Sequence, residues 1–291
     1  MNKKQTNIQH RTSDIEHPIL NSEFRTPNSK LRTPNSKLRT PVLFVGAGPG
    51  DPELITVKGQ KALQAADLVI YAGSLVPKAV LKWTGAQAIK ISSASMNLEQ
   101  IVAEMVQAHR KGQRVVRLHT GDPSLYGAIF EQMASLKKHA IPYEVIPGVT
   151  AAFAAAASMG LEYTLPEISQ TLILTRMAGR TPTPEAEALE KLAKHQASMA
   201  IYLSISLVDK VADVLAKNYG NDAACVVAFR VSHPEEKIIH TTVGQLADTV
   251  HAEKINRLAL IIVGRVLDVS ADTLKYKSKL YDQGFSHGFR K

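Results

Sequence analysis

Two stretches of sequence decide the fold: residues 42–52 (VLFVGAGPGDP) and residues 115–127 (VVRLHTGDPSLYG). Each begins as an apolar, strand-like run, passes through a turn of glycine and aspartate, and leads into a helix-like segment. In an open parallel sheet, turns at the carboxyl ends of the strands form the crevice where ligands bind. The two stretches therefore predict a small-molecule pocket at one edge of a parallel sheet.

Short apolar runs alternate with longer amphipathic segments between residues 41 and 160. The predicted strands are Val42–Val45, Leu68–Tyr71, Ala88–Ile91, Val115–Leu118 and Tyr143–Ile146. The predicted helices are Pro52–Ala66, Asn97–Lys111, Ser124–His139 and Val149–Met159. This alternation is typical of a parallel sheet with helices packed over it. Residues 41–160 are therefore predicted to form an N-terminal α/β domain that carries the glycine-rich loops.

A second α/β domain is predicted over residues 161–269. Its predicted strands are Thr171–Leu174, Ala200–Leu203, Cys225–Phe229, Lys237–His240 and Leu258–Val263, and its predicted helices are Pro184–His195, Leu207–Asn218 and Val243–Ala252. The third and fourth strands are only a few residues apart, which is the spacing of a hairpin and indicates antiparallel pairing. The sequence thus predicts two α/β domains with a cleft between them.

The positive net charge belongs to the two ends of the chain. Of the formal charge of +9, residues 1–40 carry +5 and residues 270–291 carry +3, which leaves +1 on the body. The first tail also contains a seven-residue repeat with a proline in each unit, which excludes a helical heptad. We expect this basic repeat tail to be disordered, and a role as a basic tether stays open. A one-faced basic surface for nucleic acid is not predicted.

The composition favours a cytoplasmic protein. Cys225 is the single cysteine and lies in an apolar run, so it is expected to be a buried small hydrophobe. No apolar run approaches the roughly 18 residues that span a bilayer, so no membrane partner is expected. The histidines lack ligand spacing and a cysteine pair, so no protein-bound metal is predicted.

The first glycine-rich loop differs from a dinucleotide-binding fingerprint. Asp51 stands where G-x-G-x-x-G requires its last glycine, and Pro49 removes a backbone donor from a phosphate cradle. The second loop offers Asp122, either as a helix cap or as a carboxylate facing a polar or cationic ligand. A third turn of the same kind, residues 146–152 (IPGVTAA), offers Thr150, again either as a helix cap or as a ligand contact. The loops favour a ligand with little negative charge, such as one with adenosine, amino-acid and sulfonium parts.

Taken in order, four motifs resemble those of the tetrapyrrole methyltransferases. They are residues 46–52 (GAGPGDP), 121–123 (GDP), 147–151 (PGVTA) and 261–266 (IIVGRV). The resemblance covers about residues 41–269 and implies two α/β domains, S-adenosyl-L-methionine as cofactor, and a homodimer. Residues 71–76 (YAGSLV) and 174–185 (LTRMAGRTPTPE) further resemble the members that methylate C-11 of precorrin-4 or cobalt-precorrin-4 in cobalamin biosynthesis. A sister corrin or uroporphyrinogen methyltransferase remains the alternative within the family. A nucleotide-dependent oxidoreductase and a binding module without catalysis remain open outside it.

The resemblance also implies which residues form the site. Those expected at the cofactor are Pro49, Gly121, Asp122, Leu125, Thr150, Ala151, Leu203, Val231 and Ala259. Leu203 is interpreted either as an adenine wall or as a plain core leucine. Arg176 and Arg180 are expected to bind the carboxylates of the tetrapyrrole, because guanidinium groups pair with carboxylates in two-point contacts. Tyr71 and Ser74 are expected to face the macrocycle, and no catalytic nucleophile is predicted.

Overall fold

The computed structural model of the protein describes residues 40–270, 272–274, 278–279, 283–286 and 288. The predicted tail 1–40 lies outside these residues except for Thr40, and so does much of the predicted tail 270–291. The expectations for both tails therefore stay predictions. Within the described residues, no helix is long and apolar enough to cross a membrane.

The first sheet is entirely parallel, as predicted. Its strands are β1 (Val42–Gly46), β2 (Leu68–Tyr71), β3 (Ile89–Ser92), β4 (Val115–His119) and β5 (Tyr143–Ile146), in the order β3-β2-β4-β1-β5. β1 and β4 lie side by side, so the loops that follow them are neighbours at the carboxyl edge. The loop that follows β5 joins them, since β5 pairs with the other side of β1.

Four helices follow the strands of this sheet. They are α1 (Val57–Ala65), α2 (Leu98–Arg110), α3 (Phe130–Lys138) and α4 (Ala151–Met159). α2 begins at a capping box in which Asn97 and Gln100 bond each other's backbone N–H. Its apolar face packs with α3 on one side of the sheet, and α1 packs on the other side.

The helix predicted over Ser124–His139 begins only at Phe130. Residues 124–129 form a turn instead, in which Tyr126 and Ala128 have positive φ angles of 57° and 49°. These angles belong to the left-handed region, so the right-handed helix cannot run through them. The helix predicted from Pro52 also begins later, because Pro52–Leu54 is a separate 3-10 turn and α1 begins at Val57.

The second sheet is mixed. Its strands are β6 (Leu172–Arg176), β7 (Ser198–Tyr202), β8 (Ala224–Phe229), β9 (Lys237–Thr242) and β10 (Ala259–Val263), in the order β6-β7-β10-β8-β9. β6 and β7 are parallel, β10 runs antiparallel to both of its neighbours, and β8 and β9 form the predicted hairpin. Its helices are α5 (Leu189–Ala193), α6 (Val208–Tyr219) and α7 (Leu246–Ala252).

The alanine-rich helix α4 connects the two sheets. α5, α6 and α7 cover one face of the second sheet, whereas α4 packs on the opposite face against Ala200, Val226 and Ile262. Alanine side chains allow this helix to approach the sheet closely. The domain boundary predicted at residue 160 falls just after α4, although this helix packs on the second sheet; the boundary stays a prediction.

Cys225 lies in the core of the second sheet, as predicted. Burial raises the pKa of its thiol to about 12. The side chain therefore stays protonated at neutral pH and behaves as a small apolar group.

Candidate active site

Three loops meet at one point on the carboxyl edge of the first sheet. The first loop is residues 46–52, the second is residues 120–127, and the third is residues 146–152. A Cβ atom on Gly46 would lie 2.6 Å from the carbonyl oxygen of Gly121, and one on Gly148 would lie 2.2 Å from the same oxygen. Only glycine permits so close a contact between three backbones. The first and second loops are also joined by a backbone hydrogen bond of 2.8 Å from the Gly121 N–H to the Gly48 carbonyl.

The carboxylate of Asp122 ties the second loop to the third. One oxygen accepts the backbone N–H of Ser124 at 2.7 Å, and the other accepts the backbone N–H of Gly148 at 2.9 Å. No α-helix begins at Asp122, so the interpretation as a helix cap is wrong. The carboxylate instead fixes the relative position of two loops.

The first loop is hydrogen-bonded to the segment that follows β8 of the second sheet. The backbone N–H of Asp51 donates to the Ser232 hydroxyl at 3.0 Å, and the Asp51 carboxylate caps the turn that begins at Pro52. His233 lies beside Gly50 and interacts with the Pro49 carbonyl. Burial and the nearby Arg230 guanidinium lower the pKa of His233. Pro49, a predicted cofactor contact, therefore lies where the two sheets meet.

Tyr202, at the end of β7, joins the second sheet to the third loop. Its hydroxyl lies 2.7 Å from the Thr150 hydroxyl and accepts the backbone N–H of Ala152 at 3.0 Å. Burial raises the pKa of this tyrosine. The Thr150 side chain makes no capping hydrogen bond to α4, so its interpretation as a plain helix cap is wrong. The N-terminus of α4 is capped by a hydroxyl from the other sheet.

Tyr126 adds a second aromatic ring from the second loop. Its ring centroid lies 5.7 Å from that of Tyr202 at an angle of 51°, and the side chain is 43% exposed. Partial burial of the side chain raises the pKa of Tyr126, and the positive charge of the Arg176 guanidinium partly opposes this rise. Tyr126 of the first half therefore packs against Tyr202 of the second half, with the Arg176 guanidinium near enough to affect its pKa.

The cofactor residues predicted in the second half lie near one end of its sheet. Leu203 directly follows β7, and Val231 follows β8. Ala259 is the first residue of β10 and pairs with Phe229, the last residue of β8. Leu203 is 65% exposed and has a positive φ of 53°. Its interpretation as a core leucine is therefore wrong. Val231 is buried beside α4.

Of the predicted substrate residues, Arg176 is the most constrained. Its guanidinium donates to the backbone carbonyls of Thr181 at 3.1 Å and Pro182 at 2.7 Å, and so shapes the loop that contains the exposed Arg180. Within the described residues, neither arginine forms an ion pair. Both positive charges are therefore available to an anionic ligand. Tyr71 and Ser74 lie at the end of β2, on the same edge of the first sheet as the three loops.

Comparison with known proteins identifies this arrangement. The profile of the tetrapyrrole (corrin/porphyrin) methylases matches residues 41–247. The chain belongs to this family. It is 51% identical over 253 residues to a cobalt-precorrin-4 C(11)-methyltransferase of Methanocaldococcus jannaschii, which covers 86% of this chain and 96% of the relative.

Two solved structures of tetrapyrrole methylases resemble the protein. One, a cobalt-precorrin-4 methyltransferase, is 44% identical, has a TM-score of 0.78 and covers 82% of this chain and 100% of its own. The other, a uroporphyrin-III C-methyltransferase of Thermus thermophilus in complex with S-adenosyl homocysteine, is 27% identical, has a TM-score of 0.66 and covers 79% of this chain and 100% of its own. These likenesses confirm the predicted fold class and S-adenosyl-L-methionine as the cofactor.

Sequence reasoning missed the side chains that join the two halves of this methylase. Tyr126 lies inside the stretch 115–127 and Tyr202 inside a predicted strand, but the sequence predicts no role for either. Ser232 and His233 carried no motif signal, since their partners in the first loop are about 180 residues away in sequence. In the described part of the chain, no group of three or more His, Cys, Asp or Glu side chains could hold a metal ion.

Proposed function

We propose that the protein transfers a methyl group from S-adenosyl-L-methionine to C-11 of precorrin-4 or cobalt-precorrin-4, in cobalamin biosynthesis. The observation that carries this proposal is the extent of the likeness to relatives of that activity. The range matched by the family profile, residues 41–247, spans all three loops and both stretches expected to face the substrate, residues 71–76 and 174–185.

The cleft suits an adenosyl sulfonium better than a phosphate. The Asp51 carboxylate already caps the turn after the first loop, which is the place where a phosphate would bind. The Asp122 contacts fix the second loop against the third, and Leu203 presents an exposed apolar side chain directly after Tyr202, which contacts the third loop. We propose that Pro49, Gly121, Asp122, Leu125, Thr150, Ala151, Leu203, Val231 and Ala259 hold the cofactor.

S-adenosyl-L-methionine supplies an electrophilic methyl group, and its thioether product leaves without needing a proton. The chain therefore needs no nucleophilic side chain for this reaction, and its contribution is to orient the two ligands and exclude water. Orientation of this kind can be worth roughly 7–11 kcal/mol. The backbone of the three loops is suited to this role because each loop is fixed by the other two.

The substrate side of the cleft is cationic and aromatic. A tetrapyrrole of this class carries several carboxylates, and Arg176 and Arg180 present charges that no described carboxylate neutralises. Carboxylate–guanidinium contacts contribute about 1.5–3 kcal/mol each. We propose that these arginines bind the ring periphery, while Tyr71 and Ser74 approach the macrocycle from the end of β2.

The deciding experiment is incubation with precorrin-4 or cobalt-precorrin-4 and S-adenosyl-L-methionine labelled with carbon-13 in its methyl group. We expect one new methyl signal, on C-11, in the NMR spectrum of the product. A labelled methyl on another carbon, or faster methylation of uroporphyrinogen III, would instead support the sister activity. The ratio of kcat/KM for the two forms of the substrate decides whether the metal-free or the cobalt form is preferred.

We further propose that the protein works as a homodimer in the cytoplasm. Large apolar side chains are exposed on the described surface, among them Phe130 and Phe153, and their burial against a second copy would stabilise a dimer. Sedimentation should give twice the chain mass of 31.7 kDa. A single species at the monomer mass would contradict this part of the proposal.

A further inference from the structure

Arg117, on β4, is a buried cation without an anion. Its side chain is 5% exposed, and within the described residues it takes part in no ion pair. Burial alone lowers its pKa to about 10, so it remains charged at neutral pH. Burying a charge without a counter-charge is costly and does not by itself stabilise a fold. We therefore expect Arg117 to position the groups to which it is hydrogen-bonded.

Those hydrogen bonds lead to Ala128, which directly follows the second loop. The Arg117 guanidinium donates to the Ile70 carbonyl at 3.2 Å and to the side-chain oxygen of Gln132 at 3.1 Å. The side-chain nitrogen of the buried Gln132 donates in turn to the Ala128 carbonyl at 2.9 Å. Because Arg117 occupies the oxygen of the Gln132 amide, the amide is oriented with its N–H toward the loop.

The Ala128 carbonyl, which accepts this hydrogen bond, lies at the end of a turn with unusual backbone angles. Tyr126 and Ala128 both have positive φ, a conformation that costs a non-glycine residue about 1–2 kcal/mol. The same turn carries Leu125 and Tyr126, whose ring packs against Tyr202, and Asp122 at its start ties it to the third loop. Strained turns of this kind persist only where their surroundings hold them.

We propose that Arg117 and Gln132 are a positioning pair, which sets the cofactor-facing turn 122–128 through the hydrogen bond from Gln132 to Ala128. Neither side chain touches a ligand, because both are buried beneath the turn. The inference rests on the proposed function for its effect on methyl transfer, but its effect on cofactor affinity is independent of the substrate.

Gln132→Glu tests the pair most directly. The carboxylate would keep an acceptor for Arg117, and would give this cation an anionic partner, but it would lose the N–H that donates to Ala128. We expect the variant to unfold at the temperature of the unchanged protein or above it. We expect its affinity for S-adenosylhomocysteine, measured by calorimetry, to fall about 10-fold. Its kcat/KM for methyl transfer should fall about 10- to 100-fold, since a displacement of about 1 Å in positioning groups has effects of this size.

Arg117→Met and the double variant Arg117→Met/Gln132→Glu test whether the two residues act as one unit. If they do, Arg117→Met also weakens S-adenosylhomocysteine binding, and the double variant binds no worse than the weaker single variant. Leu136→Ala is the matched control, because Leu136 is fully buried one turn further along α3 and its apolar side chain takes no part in these hydrogen bonds. It should lower the unfolding temperature and leave the affinity unchanged.

Two results would overturn the proposal. One is unchanged affinity for S-adenosylhomocysteine in folded Gln132→Glu. The other is an equal loss of affinity in Leu136→Ala, which would mean that general destabilisation explains the effect. If the unchanged protein failed to methylate C-11 while the calorimetric differences held, the proposed function would fail and the positioning pair would stand.

Discussion

The two edges that face the cleft are built in different ways. On the first sheet, backbone meets backbone: three loops touch at Gly46, Gly121 and Gly148, and the Asp122 carboxylate accepts backbone N–H groups of the second and third loops. On the second sheet, single side chains reach across, through the hydroxyls of Tyr202 and Ser232. The first edge cannot adapt to a change without moving all three loops. The second edge can change one contact at a time.

This difference fits the two ligands of the proposed reaction. A cofactor of constant structure suits an edge with a fixed backbone shape. The substrate arginines are instead side chains at the end of β6 (Arg176) and on the loop that follows it (Arg180), where substitutions can alter the choice of substrate without refolding the sheet. Substitutions of the three glycines at the first edge should therefore affect folding and cofactor binding. Substitutions of Arg176 and Arg180 should affect substrate binding, and loss of a single cross-contact such as that of Tyr202 should have a small effect.

Gly148→Ala should have the largest effect. The added methyl group would lie 2.2 Å from the Gly121 carbonyl oxygen, and neither backbone can retreat without moving the Gly46 loop. Overpacking of this kind costs about 1–3 kcal/mol or more. We expect an unfolding free energy lower by at least that amount, and no measurable binding of S-adenosylhomocysteine by calorimetry.

Gly112→Ala is the control for this substitution. Gly112 has a positive φ of 74°, but a Cβ atom there would meet nothing within 4 Å. It should cost about 1 kcal/mol from the backbone conformation alone and leave the affinity for S-adenosylhomocysteine unchanged. If Gly148→Ala behaved in the same way, the contact between the three loops would not be the rigid element described above.

Acid should weaken the first half of the molecule through His119. This side chain is buried against Phe44, and its Nε2 has no hydrogen-bond partner among the described residues. Burial and the Arg117 charge lower its pKa from 6.5 to about 3. Between these two values the unfolded chain binds a proton that the folded chain does not, so stability falls as the pH falls from about 6.5 toward 3. At about 1.4 kcal/mol per pH unit, the loss should reach about 3 kcal/mol at pH 4.5.

His119→Phe should remove most of this loss. Chemical unfolding at pH 7 and at pH 4.5 measures it, and the variant should keep nearly all of its stability at the lower pH. His233, whose pKa is also lowered, leaves a smaller residual dependence in the same direction. The exposed His240, changed to Phe, is the control. An acid dependence identical in His119→Phe and the unchanged protein would contradict the assignment to His119.

Arg180→Ala separates the two edges by function. Arg180 is exposed and its charge is unpaired among the described residues. We expect the KM for the tetrapyrrole to rise about 10-fold, which corresponds to about 1.4 kcal/mol, with no change in affinity for S-adenosylhomocysteine. Arg176→Ala should raise the KM further, because it also releases the loop carbonyls of Thr181 and Pro182. An equal loss of cofactor affinity in either variant would contradict the predicted substrate role.

The sequence predicted the elements well where local pattern determines them. The runs at Leu68–Tyr71 and Tyr143–Ile146 are strands with the predicted bounds, because apolar residues between turn signals have few other options. The turn at residues 124–129 was predicted as a helix, since its positive φ angles depend on contacts that no local pattern reveals. The partner of Asp122, Gly148, is 26 residues away, and that of Thr150, Tyr202, is 52 residues away. The loops of the site could therefore be predicted, but the bonds that fix them could not.

Tyr202→Phe should have the smallest effect and is the sharpest test of how the second edge works. The change removes the acceptor for the Ala152 N–H, one of the donors that a helix N-terminus cannot satisfy within the helix. Thr150 occupies the N-cap position, and with its hydroxyl released from Tyr202 it could cap α4 itself. We therefore expect a loss of only about 0.5–1.5 kcal/mol in unfolding free energy and a modest drop in affinity for S-adenosylhomocysteine.

Tyr219→Phe is the matched control, since the Tyr219 hydroxyl donates to the Ala197 carbonyl. This variant should lose a similar amount of stability and no affinity for S-adenosylhomocysteine. If Thr150→Val in the Tyr202→Phe background added no further cost, the replacement cap would not form, and the second edge would be less adaptable than we describe.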